Sequence, residues 1–241
     1  MNEKPVNKCE CIGCGLCEAI CVKKCIQMKA DDTGFYYPVV NEKECIDCGK
    51  CIRQCPCNKK RKFEENYAKK AYAVQAKNLN IRKQSSSGGV FYLLAKYFIE
   101  KGGIVVGASF DSDFRVRHIC IDKIVDINKV SGTKYVQSDV RNIWKKVKAY
   151  LEEKRLVLFT GTPCQIGALK AYLGKDYENL YTQDVVCHGV PSPMVWEKYL
   201  KYLEKKQKSK VENVLFRCKE PTWSRYSLKI LFKNGSIYLK D

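Results

Sequence analysis

The sequence predicts two successive parts of different fold class: a small cysteine-rich α+β domain over residues 1–62 and an α/β domain with a mostly parallel or mixed sheet over residues 81–241. Two cysteine runs that repeat each other near the amino terminus indicate the first part. From Ala71 onward, short apolar strands alternate with amphipathic helices, a pattern typical of an α/β domain. Residues 63–80 begin with a polar, charged stretch and predict a linker that leads into the first strand.

The two cysteine runs both read C-x2-C-x2-C-x3-C, and each cysteine of the second run lies 34 residues after its counterpart. In bacterial two-cluster ferredoxins, three thiolates of such a run hold one 4Fe–4S cluster and the fourth reaches the other cluster. The first domain is therefore predicted to be a ferredoxin-like two-cluster domain. The predicted ligands of the first cluster are Cys11, Cys14, Cys17 and Cys55, and those of the second cluster are Cys45, Cys48, Cys51 and Cys21.

Glycine and proline positions agree with this interpretation. Glycine lets the backbone turn its amides toward cluster sulfurs, and three glycines interleave the runs: Gly13, Gly15 and Gly49. Pro56 follows Cys55, as in the bacterial pattern, whereas Val22 follows Cys21. We expect this departure to make the corner at Cys21 less rigid without removing the ligand.

Structural zinc is the main alternative for these cysteines. Zinc sites usually use two C-x2-C pairs, so the third cysteine of each run is surplus for that purpose. Disulfides are disfavoured because the start, MNEKPVNKCE, has no apolar signal region, which predicts a cytoplasmic protein. Three remaining cysteines of this region, Cys9, Cys25 and Cys57, are predicted to be packing or bystander thiols.

Composition limits the class of protein. A hydrophobic content of 45% can fill a sizeable core, and no apolar run is long enough to span a bilayer. The formal net charge of +18 raises the possibility of nucleic acid binding. The lysines are, however, dispersed over helical faces such as WKKVKAYLEEK, and no known recognition motif accompanies them. We therefore expect no nucleic acid partner.

Local patterns predict the elements in order. Around a DDTG turn, the stretch IQMKADDTGFYYPVVNEKEC predicts a hairpin. Further along, strands are predicted at 71–77, 104–110, 116–121, 156–160, 180–187 and 214–220, and a final hairpin with an Asn234–Gly235 turn at 227–239. Helices are predicted from a Ser87 cap to Gly102, from a Ser138 cap over about 139–154, over 166–173 with Gly174 at its end, and over 191–206.

Three loops of the second part carry polar or nucleophilic residues where a helix begins or a strand ends. These loops are Ser85–Gly89, Gly161–Gln165 and Asp184–Gly189. Ligands of open α/β sheets bind beyond the carboxyl ends of strands. The serine–glycine loop suits a phosphate, although such loops also serve only as helix caps.

Several side chains near these loops have two interpretations each. Cys164 and Cys187 follow neighbouring strands. One interpretation is functional, with the two cysteines as ligands of a further cluster or as thiols beside a flavin. The other interpretation is that they are buried cysteines that act as small hydrophobes. His188 can donate to a cofactor or be structural. Lys134 can face a phosphate or a flavin, or be solvated. The residues alone leave these alternatives open.

Four segments in this order, SSSGGVF, GTKYVQSD, GTPCQIGALKAYL and DVVCHGVPSP, resemble the beta-subunit family of coenzyme F420 hydrogenases and dehydrogenases. The resemblance covers nearly the whole chain, because bacterial members carry a two-cluster ferredoxin head at the same place. It implies an iron–sulfur flavoprotein in which Ser87, Gly88, Gly89, Lys134, Gly161 and Thr162 lie around FAD.

The resemblance also implies that Cys164 and Cys187 are ligands of a further 4Fe–4S cluster near the flavin. Only two ligands are matched, so that cluster requires ligands outside this chain. Relatives continue beyond residue 241, and we expect the second domain to be incomplete at its C-terminal end. Cys120 and Cys218 match no family cysteine and are given no role.

The predicted function is that of an oxidoreductase which passes electrons between 4Fe–4S clusters and FAD, with hydride exchange to coenzyme F420 or another organic acceptor. Expected partners are that organic acceptor and a redox protein such as a ferredoxin or another oxidoreductase subunit. One alternative is a ferredoxin-type electron carrier with a non-catalytic docking domain. A zinc-bearing nucleic acid binder is the third hypothesis.

Overall fold

A computed structural model describes residues 7–58, 70–219 and 225–240. The part of the predicted polar linker at residues 59–69 lies outside these ranges. The helices are α1 (Leu16–Ile20), α2 (Lys50–Gln54), α3 (Leu79–Gln84), α4 (Val90–Glu100), α5 (Ile127–Val130), α6 (Trp144–Glu152), α7 (Pro163–Leu173) and α8 (Pro193–Gln207). The strands are β1 (Ile26–Ala30), β2 (Tyr36–Val40), β3 (Ile104–Phe110), β4 (Val116–Ile121), β5 (Val157–Gly161), β6 (Leu180–Asp184), β7 (Val211–Cys218), β8 (Ser227–Phe232) and β9 (Ile237–Lys240).

The chain divides into two compact units, and both are discontinuous in sequence. Unit 1 combines residues 1–73 with 139–188, and unit 2 combines 74–138 with 189–241. The cysteine-rich segment therefore shares a unit with β5, α7 and β6. The domain boundaries derived from the sequence, at residues 62 and 81, stay predictions.

The cysteine-rich segment of unit 1 contains the predicted hairpin. Strands β1 and β2 pair antiparallel, from Ile26 opposite Val40 to Ala30 opposite Tyr36. Asp31 begins the turn, and its Oδ1 accepts hydrogen bonds from the backbone N–H groups of Thr33 and Phe35 at 3.0 and 3.2 Å. This side-chain-to-backbone bonding is the reason why aspartate favours turns. The prediction of a hairpin around DDTG is confirmed.

The other segment of unit 1 is a strand–helix–strand arrangement. Strands β5 and β6 pair in parallel, with Val157 opposite Leu180 and Gly161 opposite Asp184. Helix α7 connects them and ends at Gly174, whose φ of +69° is the left-handed conformation that glycine adopts readily. Within the unit, Leu16 and Ile20 of α1 pack in one buried cluster with Ala171 of α7.

Unit 2 has its own hydrophobic core between helix α8 and antiparallel strands. Strands β3 and β4 form one antiparallel pair, and β7, β8 and β9 form an antiparallel sheet. The buried residues of this core are Val116, Val136, Trp196, Leu200, Leu203, Val211, Val214, Ile230 and Phe232. The predicted Asn234–Gly235 turn is confirmed, since Gly235 has a φ of +82° and Phe232 N donates to Ser236 O at 3.0 Å.

Parallel and antiparallel pairings coexist, so the prediction of a mixed α/β arrangement is confirmed. Within the units, however, β5 with β6 is a parallel pair whereas the pairs β1–β2, β3–β4, β7–β8 and β8–β9 are antiparallel. The expectation of a mostly parallel sheet does not hold for these pairs. In the described ranges, no helix is both long and apolar enough to cross a membrane.

The strand predicted at residues 71–77 is wrong. These residues belong to no strand, and the apolar side chains that suggested one remain in solvent: Tyr72 is 75% exposed and Val74 is 58% exposed. Ala76 N donates instead to the carbonyl of Gly88 at 2.7 Å. The segment thus lies against the serine–glycine loop. The short helix α3 that follows was not predicted, although Asn78 caps it by accepting from Asn80 N at 2.9 Å.

Two predicted helix caps and one strand end are also wrong. Helix α4 begins at Val90. Its N-cap residue is Gly89, with a φ of +88°, and not Ser87 as predicted. Helix α6 begins at Trp144. Ser138, the expected cap, lies with its Oγ 2.7 Å from His118 Nδ1. Strand β6 ends at Asp184, three residues before Cys187, so the loop after it is longer than predicted.

Candidate functional site

The first cysteine run wraps a tight loop before helix α1. Gly13 and Gly15 have φ values of +63° and +67°, conformations that other residues rarely adopt. Gly15 is also constrained by space, because a Cβ there would lie 2.4 Å from Cγ of Arg141. Glycine at this position therefore lets the loop turn sharply while Arg141 covers it.

Cys55 of the second run lies with the thiols of the first run. Burial raises the pKa of Cys14 to about 12, and the nearby Cys55 and Cys11 thiols add to the shift. Burial likewise raises the pKa of Cys17, and Cys14, Cys11 and Cys55 raise it further. These mutual interactions define the first thiol group, which consists of Cys11, Cys14, Cys17 and Cys55.

The first thiol group faces a small, largely apolar cavity. Its four cysteines line this cavity together with Leu16, Met28, Pro38 and Cys57. Cys57, which the sequence left without a role, lies next to Cys55. Burial and the Cys55 thiol raise its pKa to about 11. Because a thiolate must form before it binds a metal, loading this group with a cluster has to release protons.

The second run forms a separate group. Burial raises the pKa of Cys51, and the thiols of Cys48 and Cys45 add to that shift. Cys21 reaches this group through Cys25, whose buried thiol interacts with both Cys21 and Cys45. We call Cys21, Cys45, Cys48 and Cys51 the second thiol group. The first group therefore includes a thiol of the second run, and Cys21 of the first run lies beside Cys25, which interacts with Cys45.

The two thiols at 21 and 25 share a hydrogen bond, with their Sγ atoms 3.4 Å apart. Burial raises the pKa of Cys25 to about 12, and the bond to Cys21 contributes. Burial also acts to raise the pKa of Cys21, but hydrogen bonds from the Cys25 thiol and from backbone N–H groups outweigh it and lower that pKa. Cys21 is thus the thiol of this pair that ionises more easily.

Within the part of the chain that the structure describes, no three His, Cys, Asp or Glu side chains converge closely enough to hold a single metal ion. A 4Fe–4S cluster binds its four thiolates through four different irons, so its ligands need not meet at one point. The four thiols of the first group, which line one cavity, suit such a cluster.

The first thiol group is supported by residues from the other segment of unit 1. Trp144 is fully buried and donates from Nε1 to the carbonyl of Cys14 at 3.3 Å. Arg141 makes a bidentate ion pair with Asp139 at 2.7 and 2.9 Å. Its guanidinium carbon also lies 4.6 Å from the centre of the Tyr36 ring. Planar stacking and bidentate pairing hold an arginine in place, so this side chain fixes the loop around Gly15.

In unit 1 the predicted cofactor residues Gly161, Thr162 and Cys164 lie at the junction of β5 and α7. Gln165 Oε1 accepts from Thr162 N at 2.9 Å, which is half of a capping box. The Thr162 Oγ1 and Cys164 Sγ atoms are 3.0 Å apart. This arrangement places Cys164 at the first turn of α7 with its side chain exposed.

Cys187 follows the neighbouring strand. Because β5 and β6 are parallel, Gly161 and Asp184 end at the same edge, and Val185 N donates to the carbonyl of Gly161 at 3.1 Å. Cys187 and His188 are exposed in the loop beyond this edge. The interpretation of Cys164 and Cys187 as buried small hydrophobes is therefore wrong, and their role as cluster ligands stays a prediction.

In unit 2 the serine–glycine loop and the turn before Lys134 contact each other. Ser86 Oγ accepts from Thr133 N at 2.7 Å. Gly88 lies so close to the preceding segment that a Cβ there would be 2.6 Å from the carbonyl oxygen of Val74. Of the predicted cofactor residues, Ser87, Gly88, Gly89 and Lys134 are thus brought into one region.

The ammonium group of Lys134 points back into its own turn. It donates to the carbonyls of Ser131, Lys129 and Gly132 at 2.8, 3.2 and 3.2 Å. Burial lowers its pKa to about 8. The side chain therefore holds the turn beside the serine–glycine loop.

Three basic residues near this loop were missed by the sequence analysis. Lys219 Nζ donates to the carbonyls of Arg82 and Ser87 at 3.0 and 3.4 Å. Burial, together with Arg217, lowers the pKa of Lys219 to about 8. Among the described residues, the Nε atoms of Arg82 and Arg217 are buried and have no hydrogen-bond partner. No motif marks these residues, and Arg217 and Lys219 lie far from the loop in sequence.

Known families match three parts of the chain. Residues 10–59 match the 4Fe-4S dicluster domain, which defines the amino-terminal segment as an iron–sulfur domain. Residues 71–145 match the coenzyme F420 hydrogenase/dehydrogenase beta subunit N-terminal family, and residues 154–240 match the corresponding C-terminal family. The chain therefore belongs to the coenzyme F420 hydrogenase/dehydrogenase beta-subunit family, which is a family of oxidoreductases.

A solved structure with a related chain is that of the F420-reducing [NiFe] hydrogenase complex from Methanosarcina barkeri, studied by xenon derivatization. The two chains are 20% identical, with a TM-score of 0.48 over 69% of the present chain. The matched region spans 58% of the other chain. A comparison with curated proteins gives no match.

Proposed function

We propose that this chain is an iron–sulfur flavoprotein of an oxidoreductase, which passes electrons between two 4Fe–4S clusters and FAD and exchanges hydride with coenzyme F420 or another organic acceptor. The observation that carries the proposal is that Cys55 of the second run lines the same small cavity as Cys11, Cys14 and Cys17 of the first run. Crossed ligation is the arrangement that the C-x2-C-x2-C-x3-C spacing requires for paired clusters. Family membership supports the same conclusion.

The proposed ligands are the two thiol groups. Cys11, Cys14, Cys17 and Cys55 would hold the first cluster, and Cys45, Cys48, Cys51 and Cys21 would hold the second. When bound, the clusters supply one-electron transfer and FAD supplies its coupling to two-electron hydride transfer. The protein contributes burial around the first group and the glycine-shaped loops that direct backbone N–H groups at its sulfurs.

The surroundings of the two groups differ, and this difference suggests a direction for electron flow. The first group faces the small apolar cavity and is packed against Trp144 of α6. Cys21, by contrast, lines an open cavity of about 770 Å³ together with Lys24, Lys29 and Lys145. We infer that a redox partner with an acidic surface exchanges electrons with the second cluster, since opposite charges steer such encounters.

The fit for FAD rests on unit 2. Its phosphates are anionic, and the serine–glycine loop is accompanied by Lys219 and by the buried, unpartnered Nε atoms of Arg82 and Arg217. Backbone N–H groups and cations of this kind suit a pyrophosphate. Lys134 would position the serine–glycine loop indirectly, because it stabilises the turn that contacts this loop. In unit 1, Gly161 and Thr162 remain proposed flavin contacts at the start of α7.

Anaerobic purification followed by iron, sulfide and flavin analysis of one sample tests the proposal. We expect about eight irons, about eight sulfides and about one FAD per chain. A colourless preparation that stays free of iron after reconstitution would contradict it. Iron and sulfide at the expected level without any affinity for flavin would favour the electron carrier with a docking domain.

A pair of ligand variants tests the crossing itself. Cys55→Ala and Cys14→Ala should both lose the first cluster and leave the same residual electron paramagnetic resonance spectrum, although the two residues belong to different runs. The Cys9→Ala variant, at an exposed cysteine outside both groups, should keep the full iron content. Different residual spectra for the two ligand variants would show that the thiols are not shared in this way.

A further inference from the structure

Cys25 is a buried cysteine beside the second thiol group. Its Sγ atom is 3.4 Å from that of Cys21, and its side chain also interacts with Cys45 of the same thiol group. We propose that Cys25 is a reserve ligand, which binds the iron of the second cluster when Cys21 leaves it. The inference rests on the proposed function, because it requires that the second thiol group holds a cluster.

The backbone explains how Cys25 comes to this place. The residues after Cys21 form a turn in which Lys24 N donates to the Cys21 carbonyl at 3.2 Å, and Lys24 has the left-handed φ of +53°. This turn folds the chain back, so that a residue four positions later meets Cys21 again. The Cys25 carbonyl then accepts from Asn41 N at 2.7 Å, which fixes it at the edge of the hairpin.

A buried cysteine that only fills space would be surrounded by apolar side chains. Cys25 is 5% exposed, but its thiol faces two other thiols. It also lines the open cavity of about 770 Å³ that Cys21 lines. Small oxidants therefore have access to Cys21, the proposed ligand whose Sγ lies 3.4 Å from that of Cys25.

The corner at Cys21 lacks the proline that restrains the backbone at its counterpart. Cys55 is followed by Pro56, whose ring fixes φ, whereas Cys21 is followed by Val22, whose side chain is 64% exposed. Cys57 lies beside Cys55 much as Cys25 lies beside Cys21, but it is separated from Cys55 by that proline. Cys57 is therefore a matched control for a spare thiol at a rigid corner.

The exchange is a ligand substitution without net electron transfer. The Cys25 thiol gives its proton to solvent and forms an iron–sulfur bond. The bond from the same iron to Cys21 breaks, and the Cys21 thiolate takes up a proton. Neither the charge of the cluster nor its oxidation state changes, so no oxidant or reductant is required.

Iron and sulfide content of anaerobically purified variants tests the inference. We expect Cys21→Ala and Cys25→Ala to keep about eight irons per chain, because one of the two thiols remains in each variant. The double variant Cys21→Ala/Cys25→Ala should keep about four. A Cys21→Ala variant with about four irons, or a double variant with about eight, would overturn the inference while leaving two clusters in the unaltered protein. Absence of iron in the unaltered protein would instead refute the proposed function.

Cluster loss under a chelator provides a second measurement that does not depend on how well the Cys21 variants fold. In the presence of EDTA and low hydrogen peroxide, Cys25→Ser should lose visible absorbance several-fold faster than the unaltered protein. Cys57→Ser should lose it at the unaltered rate. Equal rates for Cys25→Ser and the unaltered protein would refute a reserve role for Cys25.

Discussion

At the scale of single residues, Gly15 combines two requirements that only glycine meets. Its φ is +67°, and Cγ of Arg141 lies 2.4 Å from the position of a Cβ. Arg141 cannot easily withdraw, because Asp139 and the Tyr36 ring hold it. Gly174 in the same unit has a nearly identical φ of +69°, but no atom lies within 4 Å of its Cβ position. Comparison of the two glycines separates backbone strain from crowding.

We therefore predict that Gly174→Ala lowers the free energy of unfolding by about 1–2 kcal/mol, the cost of a left-handed alanine. Gly15→Ala should cost a further 1 kcal/mol or so, because the added methyl group displaces Arg141. Urea unfolding of the metal-free chain measures both values. Equal losses for the two variants would mean that Arg141 does not crowd Gly15.

The burial of Lys134 predicts a pH dependence. Burial lowers its folded-state pKa to about 8, below the value of about 10.4 for an unfolded lysine. Between these two values the unfolded chain binds more protons than the folded chain, so this residue makes stability rise with pH from about 8 to about 10. Below pH 8 the folded protein keeps a charged lysine at a cost that its three carbonyl acceptors partly offset.

We predict that the stability difference between the unaltered protein and Lys134→Met changes with pH only in this window. It should shift in favour of the unaltered protein by up to about 3 kcal/mol between pH 8 and pH 10, since one pKa unit corresponds to about 1.4 kcal/mol. Urea unfolding at several pH values measures the shift. Lys129→Met, at a lysine whose ammonium pairs with Asp126 on the surface, is the control and should give a flat difference. A flat difference for Lys134→Met would mean that its ammonium is solvated.

At the scale of elements, helix α7 has local signals at both of its ends. Thr162 precedes Pro163 at the first helical position, Gln165 caps the backbone N–H of Thr162, and Gly174 ends the helix. These signals lie within a few residues of one another. The end of the helix at Gly174 was predicted correctly, but α7 begins at Pro163 and not at residue 166 as predicted.

Removal of the Gln165 cap should weaken the start of α7. We predict that Gln165→Ala lowers the free energy of unfolding by about 1 kcal/mol, because Thr162 N loses its acceptor. Gln165→Glu keeps an acceptor at the same place and should be close to the unaltered protein. Thermal unfolding followed by circular dichroism compares the two. A Glu variant as unstable as the Ala variant would mean that the side-chain bond does not stabilise this helix.

At the scale of the whole molecule, the cysteine-rich segment completes its packing with residues that follow much later in the chain. Leu16 is 1% exposed and shares a cluster with Ala171, and Trp144 bonds to the Cys14 carbonyl. A five-residue helix such as α1 has no stability of its own. The segment should therefore depend on residues 139–188 for a stable first thiol group.

We predict that a fragment of residues 1–73 retains its clusters poorly. It should bleach several-fold faster than the full chain in EDTA, because Leu16 loses part of its cover and Cys14 loses the Trp144 bond. A chain that joins residues 1–73 to 139–188 by a glycine–serine linker restores unit 1 and should bleach at nearly the full-length rate. If the short fragment were as resistant as the full chain, the cysteine-rich segment would be independent of that packing.

How much the sequence could predict depends on the range of the interactions involved. The β1–β2 hairpin, the Asn234–Gly235 turn and the end of α7 at Gly174 are specified by neighbouring residues, and their predictions were confirmed. The segment 71–77 has the alternating pattern of a strand. Its backbone, however, hydrogen-bonds to Gly88 and not to a strand partner. Ser138 has the chemistry of a cap, yet it pairs with His118 of a distant strand.

The sequence by itself determined the iron–sulfur chemistry of this protein, because the number and spacing of cysteines are covalent properties that survive any fold. Only the tertiary structure decided which side chains meet: Cys25 beside Cys21, Trp144 on the Cys14 loop, and Lys219 at the serine–glycine loop. Trp144 and Lys219 join residues more than a hundred positions away, and Cys25 reaches Cys21 through a turn that no local motif marks. Such contacts follow from how the whole chain buries its apolar surface, and for that reason they cannot be read from any local pattern.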